Sequence, residues 1–402
     1  MASWAPRTLT PMVGLRGEHS PKLQTAGGSM KTFRALIQDV VKPGLCYRCG
    51  GCVTFCKAIN YGALEMGPDG LPRYKDPEKC VECGFCHMFC PAVGQLEDEV
   101  RRQTAWREPM GNVVEVAVAR AKDATVRERG TDGGVVTAIL LRLFDEGRID
   151  GAVVARTTGL FRREPLLATT RQEILDAAGC AFDPGRGMSV FSPRYSTYAP
   201  SIQALGSLVR KGLRRVAVVG VPEQIKVIRK MQSLGVVPTD SIYCLFGLFC
   251  SGSYEFGESQ RGALEALGGF AWQDVTRVNV REVLRLRLRD GRVADIPLDK
   301  LIFIRRPACA FCEDYAAEFA DISFGGLGAE PGWTTVITRT PLGRAIFADV
   351  RGAVLDQSRA EEDQPRAAEA QRTVLEHSRR KKDAAAVNLR RLAEQASVAV
   401  ED

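Results

Sequence analysis

The stretch "CYRCGGCVTFC" (residues 46–56) is followed by a near-copy, "CVECGFCHMFCP" (residues 80–91). Each spaces four cysteines as C-x2-C-x2-C-x3-C, and this repeated comb decides the first domain. Three thiolates with two residues between them can wrap one face of an iron–sulfur cube. The fourth, after a three-residue gap, points away and serves the neighbouring cube. The spacing therefore assigns Cys46, Cys49, Cys52 and Cys90 to one 4Fe-4S cluster, and Cys56, Cys80, Cys83 and Cys86 to a second. Paired C-x2-C motifs also build tetrahedral zinc sites. Zinc, however, takes four ligands from two pairs and leaves no role for a third cysteine that recurs in both halves. Lys57 stands where the second comb has Pro91; proline shapes the turn and supplies no ligand.

Working outward, 402 residues suggest two or three domains, and a hydrophobic content of 45% can fill a sizeable core. No apolar run reaches the roughly 18 residues needed to cross a bilayer. The first 29 residues lack the apolar segment of a secretory signal and read as an unstructured extension ahead of Met30. Thirteen cysteines without an export signal point to metal or redox use in the cytoplasm, not to a disulfide framework. A net charge of +7 is met by an ordinary solvated surface, and no nucleic-acid partner is expected. The only histidines are His19, His87 and His377, in the loose N-terminus, a comb and a charged tail. That excludes a Ser/His/Asp triad and a His-rich metal site, and leaves thiol-bound metal and bound cofactor.

Past residue 110 the pattern becomes alternating strands and helices. "NVVEVAVARA" and "DGAVVART" read as strands, separated by a glycine turn that opens an amphipathic helix, "RGTDGGVVTAILLRLFDEGRI". "RRVAVVGVPEQIKVIRKMQSLG" repeats this grammar, and "SIYCLFGLFC" is a buried strand. "EVLRLRLRDGRVADIPL" alternates and turns at Asp290-Gly291, a hairpin. Two turns could cradle phosphate at a helix N-terminus: Gly130–Gly134 and Gly220–Gln224. Neither is a GxGxxG or Walker sequence, so a purely structural glycine turn is the competing reading of each. Of the remaining cysteines, Cys309 and Cys312 have ligand spacing and Cys250 ends a strand, three of the four ligands for another cube. Cys244, roughly 20 Å from Cys250 along one strand, is too far to be the fourth; Cys180 could be, in an irregular stretch, and a buried inert thiol is the competing reading of both.

The comb region, with its flanking "AINYGALEM" and "LPRYKDPEK", resembles a two-cluster bacterial ferredoxin. The chain from about 112 to 350 resembles the beta subunit of coenzyme F420 hydrogenases and dehydrogenases. The matching pieces are "GTDGGVVTAIL", "GRIDGAVV", "SPRYSTYAPSIQAL", "VAVVGVPEQIKVIRKMQ", "FGLFCSG" and "CAFCEDYAAEFADISFGG…GWTTVITRT". Members of this family bind FAD and carry iron–sulfur clusters, and many pass a hydride between reduced F420 and FAD. A ferredoxin unit ahead of the flavin domain looks most like the F420H2-oxidising input subunits. By position the resemblance implies that FAD lies near Gly130, Thr131, Gly133, Gly134 and Thr137, near Arg194 and Tyr195, and against Gly220, Pro222 and Gln224. The family usually reads G-T-P-C-Q at that last turn, whereas this sequence reads G-V-P-E-Q. Glu223 as an oxygen ligand, a cluster with an open iron, and a lost cluster all remain open for Cys250, Cys309 and Cys312.

The expected organisation is thus α/β with α+β additions. An extension (1–29) precedes a ferredoxin-like domain (30–105), an FAD-binding α/β body with a hairpin addition (110–352) and a charged helical tail (353–402) read as solvated, with a docking arm as the alternative. A basic rim for the phosphate and oligoglutamate tail of F420 is sought at Lys226, Arg229 and Lys230, or at Arg305 and Arg306. The expected function is hydride exchange between F420 and FAD, with single electrons passing through the clusters to partner redox subunits or a ferredoxin-like protein. Any membrane association would run through such a partner complex. The alternatives are a ferredoxin-driven reductase of an organic, tetrapyrrole-type substrate and a non-catalytic electron-relay subunit.

Overall fold

Strands β6 (Val216–Gly220), β7 (Ile242–Leu248) and β11 (Ile322–Gly325) are nearly continuous apolar runs, as expected of strands covered on both faces. They form the centre of an eight-stranded sheet ordered β13-β3-β12-β11-β7-β6-β4-β5. Its other strands are β3 (Glu115–Ala121), β4 (Gly151–Gly159), β5 (Arg162–Ala168), β12 (Thr334–Thr338) and β13 (Leu355–Gln357). The pairs β4·β6, β6·β7 and β7·β11 are parallel, while β5, β12 and β13 run antiparallel to their neighbours. Because β3 and β11 each pair antiparallel to β12, β3 points the same way as the parallel core. In this computed structural model the described residues are 30–58, 61–159, 162–179, 201–207, 211–236, 239–254, 258–280, 283–357 and 360–401. The N-terminal extension, Cys180, Arg194 and Tyr195 lie outside them.

The described helices used below are α1 (Gly51–Ala58), α2 (Phe85–Met88), α3 (Val135–Asp145), α4 (Pro222–Ser233), α5 (Pro341–Val354) and α6 (Ala360–Glu401). One face of the sheet packs Phe246 and Phe324 against Ile139 and Leu143 of α3 and Ile346 and Phe347 of α5. On the other face Val218 and Leu245 meet Ile225, Val227 and Ile228 of α4, and this layer continues into Phe55 and Phe89 of the comb region. Residues 31–402 accordingly form one unit. The small hairpin β1 (Leu64–Met66) and β2 (Pro72–Tyr74) lies beside the combs. The expected hairpin turning at Asp290-Gly291 forms as β9 (Val283–Leu288) and β10 (Val293–Pro297), extended by β8 (Val275–Val280) into a three-stranded sheet with its own core.

The charged stretch "LEDEVRRQTAWREP" (residues 96–109) is an ordered connector: Glu97–Gln103 is helical, Val100 is buried, and the Trp106 indole donates to Glu318 Oε2 at 2.6 Å. The expectation of a solvated tail needs correction. Ala370, Val374, Ser378 and Ala385 are fully buried along one face of α6, where Val374 packs with Met110, Tyr315, Leu327 and Ile337. Small residues at helical spacing let the backbones approach closely: a Cβ at Gly328 would sit 2.7 Å from Ala370 Cα. No described helix is long and apolar enough to cross a membrane.

Arg339, 1% exposed at the end of β12, ties these layers together. It donates to Ser323 Oγ (2.5 Å) and to the carbonyls of Met110 (2.7 Å), Asn112 (3.0 Å) and Ala316 (2.9 Å). Burial pulls its guanidinium down to about 10. Replacing it by Met leaves buried acceptors unpaired, and we expect Arg339→Met to cost about 3–5 kcal/mol. Denaturant unfolding checks this; a loss below about 1 kcal/mol would contradict the role.

Candidate thiol-cluster site

The comb sequences fold locally as ligand loops that run into short helices. In "CGGC", Gly50 has φ +79°, and a Cβ on Gly51 would lie 2.5 Å from Val227 Cγ2 of α4. The two glycines therefore let α1 start in place and sit hard against α4. Around this contact the thiols sort across the combs. Cys46, Cys49, Cys52 and Cys90 line one cavity with Val40, Met66 and Val227. Cys56, Cys80, Cys83 and Cys86 line another with Phe33, Phe55 and Leu64. Cys52 and Cys86 border both, so the cavities adjoin. Burial, followed by neighbouring thiols, pushes Cys86 up to about 12; burial likewise raises Cys90 to about 12 and lifts the Cys49 and Cys52 thiols. Such thiols become thiolates when a metal centre supplies positive charge. Among the described residues no group of three or more His, Cys, Asp or Glu converges on a single ion. His87 is occupied structurally, between Asp39 (3.1 Å) and Gln95 (3.2 Å).

A third set assembles in the body. Cys250 follows β7, Cys309 and Cys312 lie in the loop before β11, and Glu223 opens α4 after β6. All four are buried. Cys312 Sγ donates to Glu223 Oε1 at 3.0 Å, and the Ser253 amide donates to Cys309 Sγ at 3.2 Å. Burial raises Cys250 to about 12. Lys381 of α6 reaches in, donating to the carbonyls of Cys250 and Asp314, both at 2.7 Å. Burial opposes its charge, but Cys312, Cys250, Glu223 and Cys309 around it hold it more firmly protonated than an ordinary lysine. Cys244 is not part of this set. It sits in the sheet core, where burial and Asp321 raise its thiol.

The third set and the first adjoin through Tyr47. Burial, then Cys312, Glu223, Cys309 and Cys90, raise its phenol. Helix α4 spans both: Glu223 touches the third set, and Lys230, seven residues on, donates to the Cys90 carbonyl at 2.9 Å. Seven residues of helix rise about 10 Å. The cations expected to form a basic rim are turned inward instead. Lys226 pairs with Glu97 at 2.5 Å, Arg229 with Asp321 at 2.9 Å, and Lys230 is fully buried. Arg305 donates to the Cys309 carbonyl at 2.9 Å and Arg306 to the Tyr47 carbonyl at 3.0 Å. Lys226, Lys230 and Arg306 are consumed in joining the comb region to the body, while Arg229 and Arg305 tie parts of the body together.

The two glycine turns stand at the carboxyl edge of the parallel strands but not together. From β3 to β6 is four strand steps, about 19 Å. At Gly130–Gly134 the glycines are demanded by packing: a Cβ on Gly133 would meet Gly332 O at 2.6 Å, and one on Gly134 would meet Val126 O at 2.6 Å. Beside them Thr131 Oγ1 is buried with no hydrogen-bond partner among the described residues, and Thr137 is buried one turn into α3. At the second turn Gln224 Oε1 accepts from its own Val221 amide at 3.0 Å, and Pro222 opens the helix. That turn serves the third thiol set through Glu223. Sequence reasoning missed Tyr47, Lys381 and Asn388, whose neighbours here are distant in the chain.

Comparison with known proteins agrees with this layout. Residues 116–191 and 213–363 match the N-terminal and C-terminal family models of the coenzyme F420 hydrogenase/dehydrogenase beta subunit. Residues 73–93, which hold the second comb, match a 4Fe-4S binding domain. The chain is 31% identical over 270 residues to the coenzyme F420 hydrogenase subunit beta of Methanothermobacter thermautotrophicus, covering 64% of this chain and 88% of that protein. It is 27% identical to an F420H2 dehydrogenase subunit of Methanosarcina mazei, covering 78% of this chain and 85% of that one. A chain of the F420-reducing NiFe hydrogenase complex from Methanosarcina barkeri superposes with a TM-score of 0.60 at 25% identity, over 71% of this chain and 94% of that one. The chain belongs to the family of coenzyme F420 hydrogenase/dehydrogenase beta subunits and carries a 4Fe-4S binding domain ahead of the body.

Proposed function

We propose that the protein moves a hydride between coenzyme F420 and FAD and relays single electrons through 4Fe-4S clusters to or from a partner redox protein or complex. The observation that carries this reading is the unbroken line of thiol sets. Cys56, Cys80, Cys83 and Cys86 adjoin Cys46, Cys49, Cys52 and Cys90, and Tyr47, which lines the cavity of that second group, also lines one with Glu223 and Cys312 of the third set. Each comb set offers four thiols and would hold one cluster. The third offers three thiols and a carboxylate, and would hold a third with Glu223 as the oxygen donor. Its place at the ends of β6 and β7 is where open α/β sheets bind their ligands.

FAD, when bound, supplies the exchange between a two-electron hydride and single electrons. The Gly130–Gly134 turn would take its phosphates, the supporting feature being the N-terminus of α3 and the orphaned Thr131 hydroxyl as donors. With no histidine among these residues, the chain's contribution to hydride transfer is proximity and orientation. The inward-facing α4 lysines leave F420's anionic tail to be recognised elsewhere than at the expected rim.

Crossed ligation is tested by substitution. Cys90→Ala, although in the second comb by sequence, should abolish the EPR signal that Cys46→Ala abolishes and spare the one lost in Cys80→Ala. Pairing with Cys80→Ala would contradict it. The function is tested by mixing the anaerobic, FAD-loaded chain with F420H2 and following both chromophores. Flavin and clusters should bleach in the same rapid phases. A flavin that stays oxidised with F420H2 but is reduced by ferredoxin would overturn the reading in favour of a ferredoxin-driven reductase. Intact clusters in a chain that retains no FAD would favour a relay subunit.

A further inference from the structure

The C-terminal helix contributes to the third thiol set. Lys381 Nζ donates to the carbonyl of Cys250 and to that of Asp314, two residues past Cys312. Seven residues on, Asn388 Nδ2 donates at 2.8 Å to the carbonyl of Ala310, between Cys309 and Cys312. Two turns of one helix face thus hold both ligand loops, and the same face is anchored by Ser378 and Ala385, each fully buried. A solvated helix has no reason to bring an ammonium into a pocket of three thiols and a carboxylate. Burying that charge is costly unless opposite charge faces it.

We infer that Lys381 is a positioning residue of the third site: it fixes the two ligand loops and makes the site easier to reduce by balancing its negative charge. The inference rests on the proposal that Cys250, Cys309, Cys312 and Glu223 hold a cluster. Three thiolates and a carboxylate leave that site net negative, and the charge grows by one when an electron arrives. A fixed cation beside it favours the reduced form through a low-dielectric interior. The electron comes from the flavin or the neighbouring first comb and leaves by the other. No bond is made and no proton moves, since Lys381 stays protonated throughout. Other cations close to ligand loops, Arg305 on the Cys309 carbonyl, Arg306 on the Tyr47 carbonyl and Lys230 on the Cys90 carbonyl, are contributed by the body itself. Lys381 comes from the C-terminal helix α6.

The test uses the full chain, purified anaerobically, with iron counted and each cluster's midpoint followed by EPR during a redox titration. Lys381→Met should lower the third-site midpoint by at least about tenfold in the reduction equilibrium, about 59 mV for one electron. Lys381→Arg should keep it near wild type, and the two comb signals, which report that the chain is folded, should not move. Loss of only the third signal in Lys381→Met, with retention in Lys381→Arg, supports the same role. Asn388→Ala, which loosens the helix but keeps the charge, should leave the midpoint in place. An unmoved midpoint in Lys381→Met, or equal effects of Met and Arg or of Lys381→Met and Asn388→Ala, would overturn the inference. A wild-type chain with about eight irons rather than about twelve would instead remove the third cluster, and the role of Lys381 with it.

Discussion

A thiol buried beside other thiols is stable as a neutral group or as a metal ligand, and the ionised form needs positive charge nearby. This constraint organises the molecule. Eleven of its cysteines stand in three neighbouring sets, and burial raises most of their thiols well above the ordinary range. The backbone around them supplies what the constraint demands: loops that expose sulfur to a shared cavity, and cations aimed at the carbonyls of the ligand loops.

Helix α4 turns those local needs into an architecture. It begins at the carboxyl end of β6, where Glu223 joins the third set, and carries Lys226 and Lys230 on the same face at positions that repeat each helical turn. Lys226 holds Glu97 and Lys230 holds the Cys90 loop. Gly51 allows α1 to close against Val227 of this helix. The comb region is therefore fused to the sheet by packing and by buried charge, which keeps the thiol sets at a fixed, short spacing. Electron relay needs such spacing, and a flexibly tethered ferredoxin would not maintain it.

The combs were legible in the sequence because their geometry is local. A spacing of two, two and three residues dictates which way each sulfur faces, whatever the rest of the chain does. The strands and helices of the body were legible from apolar runs and glycine turns, with α3, α4, β6, β7 and the β9–β10 hairpin at their expected places. What was not legible depends on long-range packing. Lys226, Arg229 and Lys230 look like a surface stripe until the comb region takes up the two lysines and Asp321 takes up Arg229. Lys381 belongs to a run, "RRKK", that in isolation reads as solvent-facing. The faint signal was the small-residue spacing of Ala370, Val374, Ser378 and Ala385, which marks a helix pressed against a neighbour. Glu223 stood out only as a departure from the family's pattern, and its meaning came from the thiol 3.0 Å away.

The most direct measurement is anomalous diffraction at the iron edge from crystals of the anaerobically purified chain. Three iron peaks should appear: between Cys46, Cys49, Cys52 and Cys90, between Cys56, Cys80, Cys83 and Cys86, and between Cys250, Cys309, Cys312 and Glu223. Peaks confined to each comb's own four cysteines, or scattering at the zinc edge in their place, would contradict the crossed line of clusters on which the electron path depends.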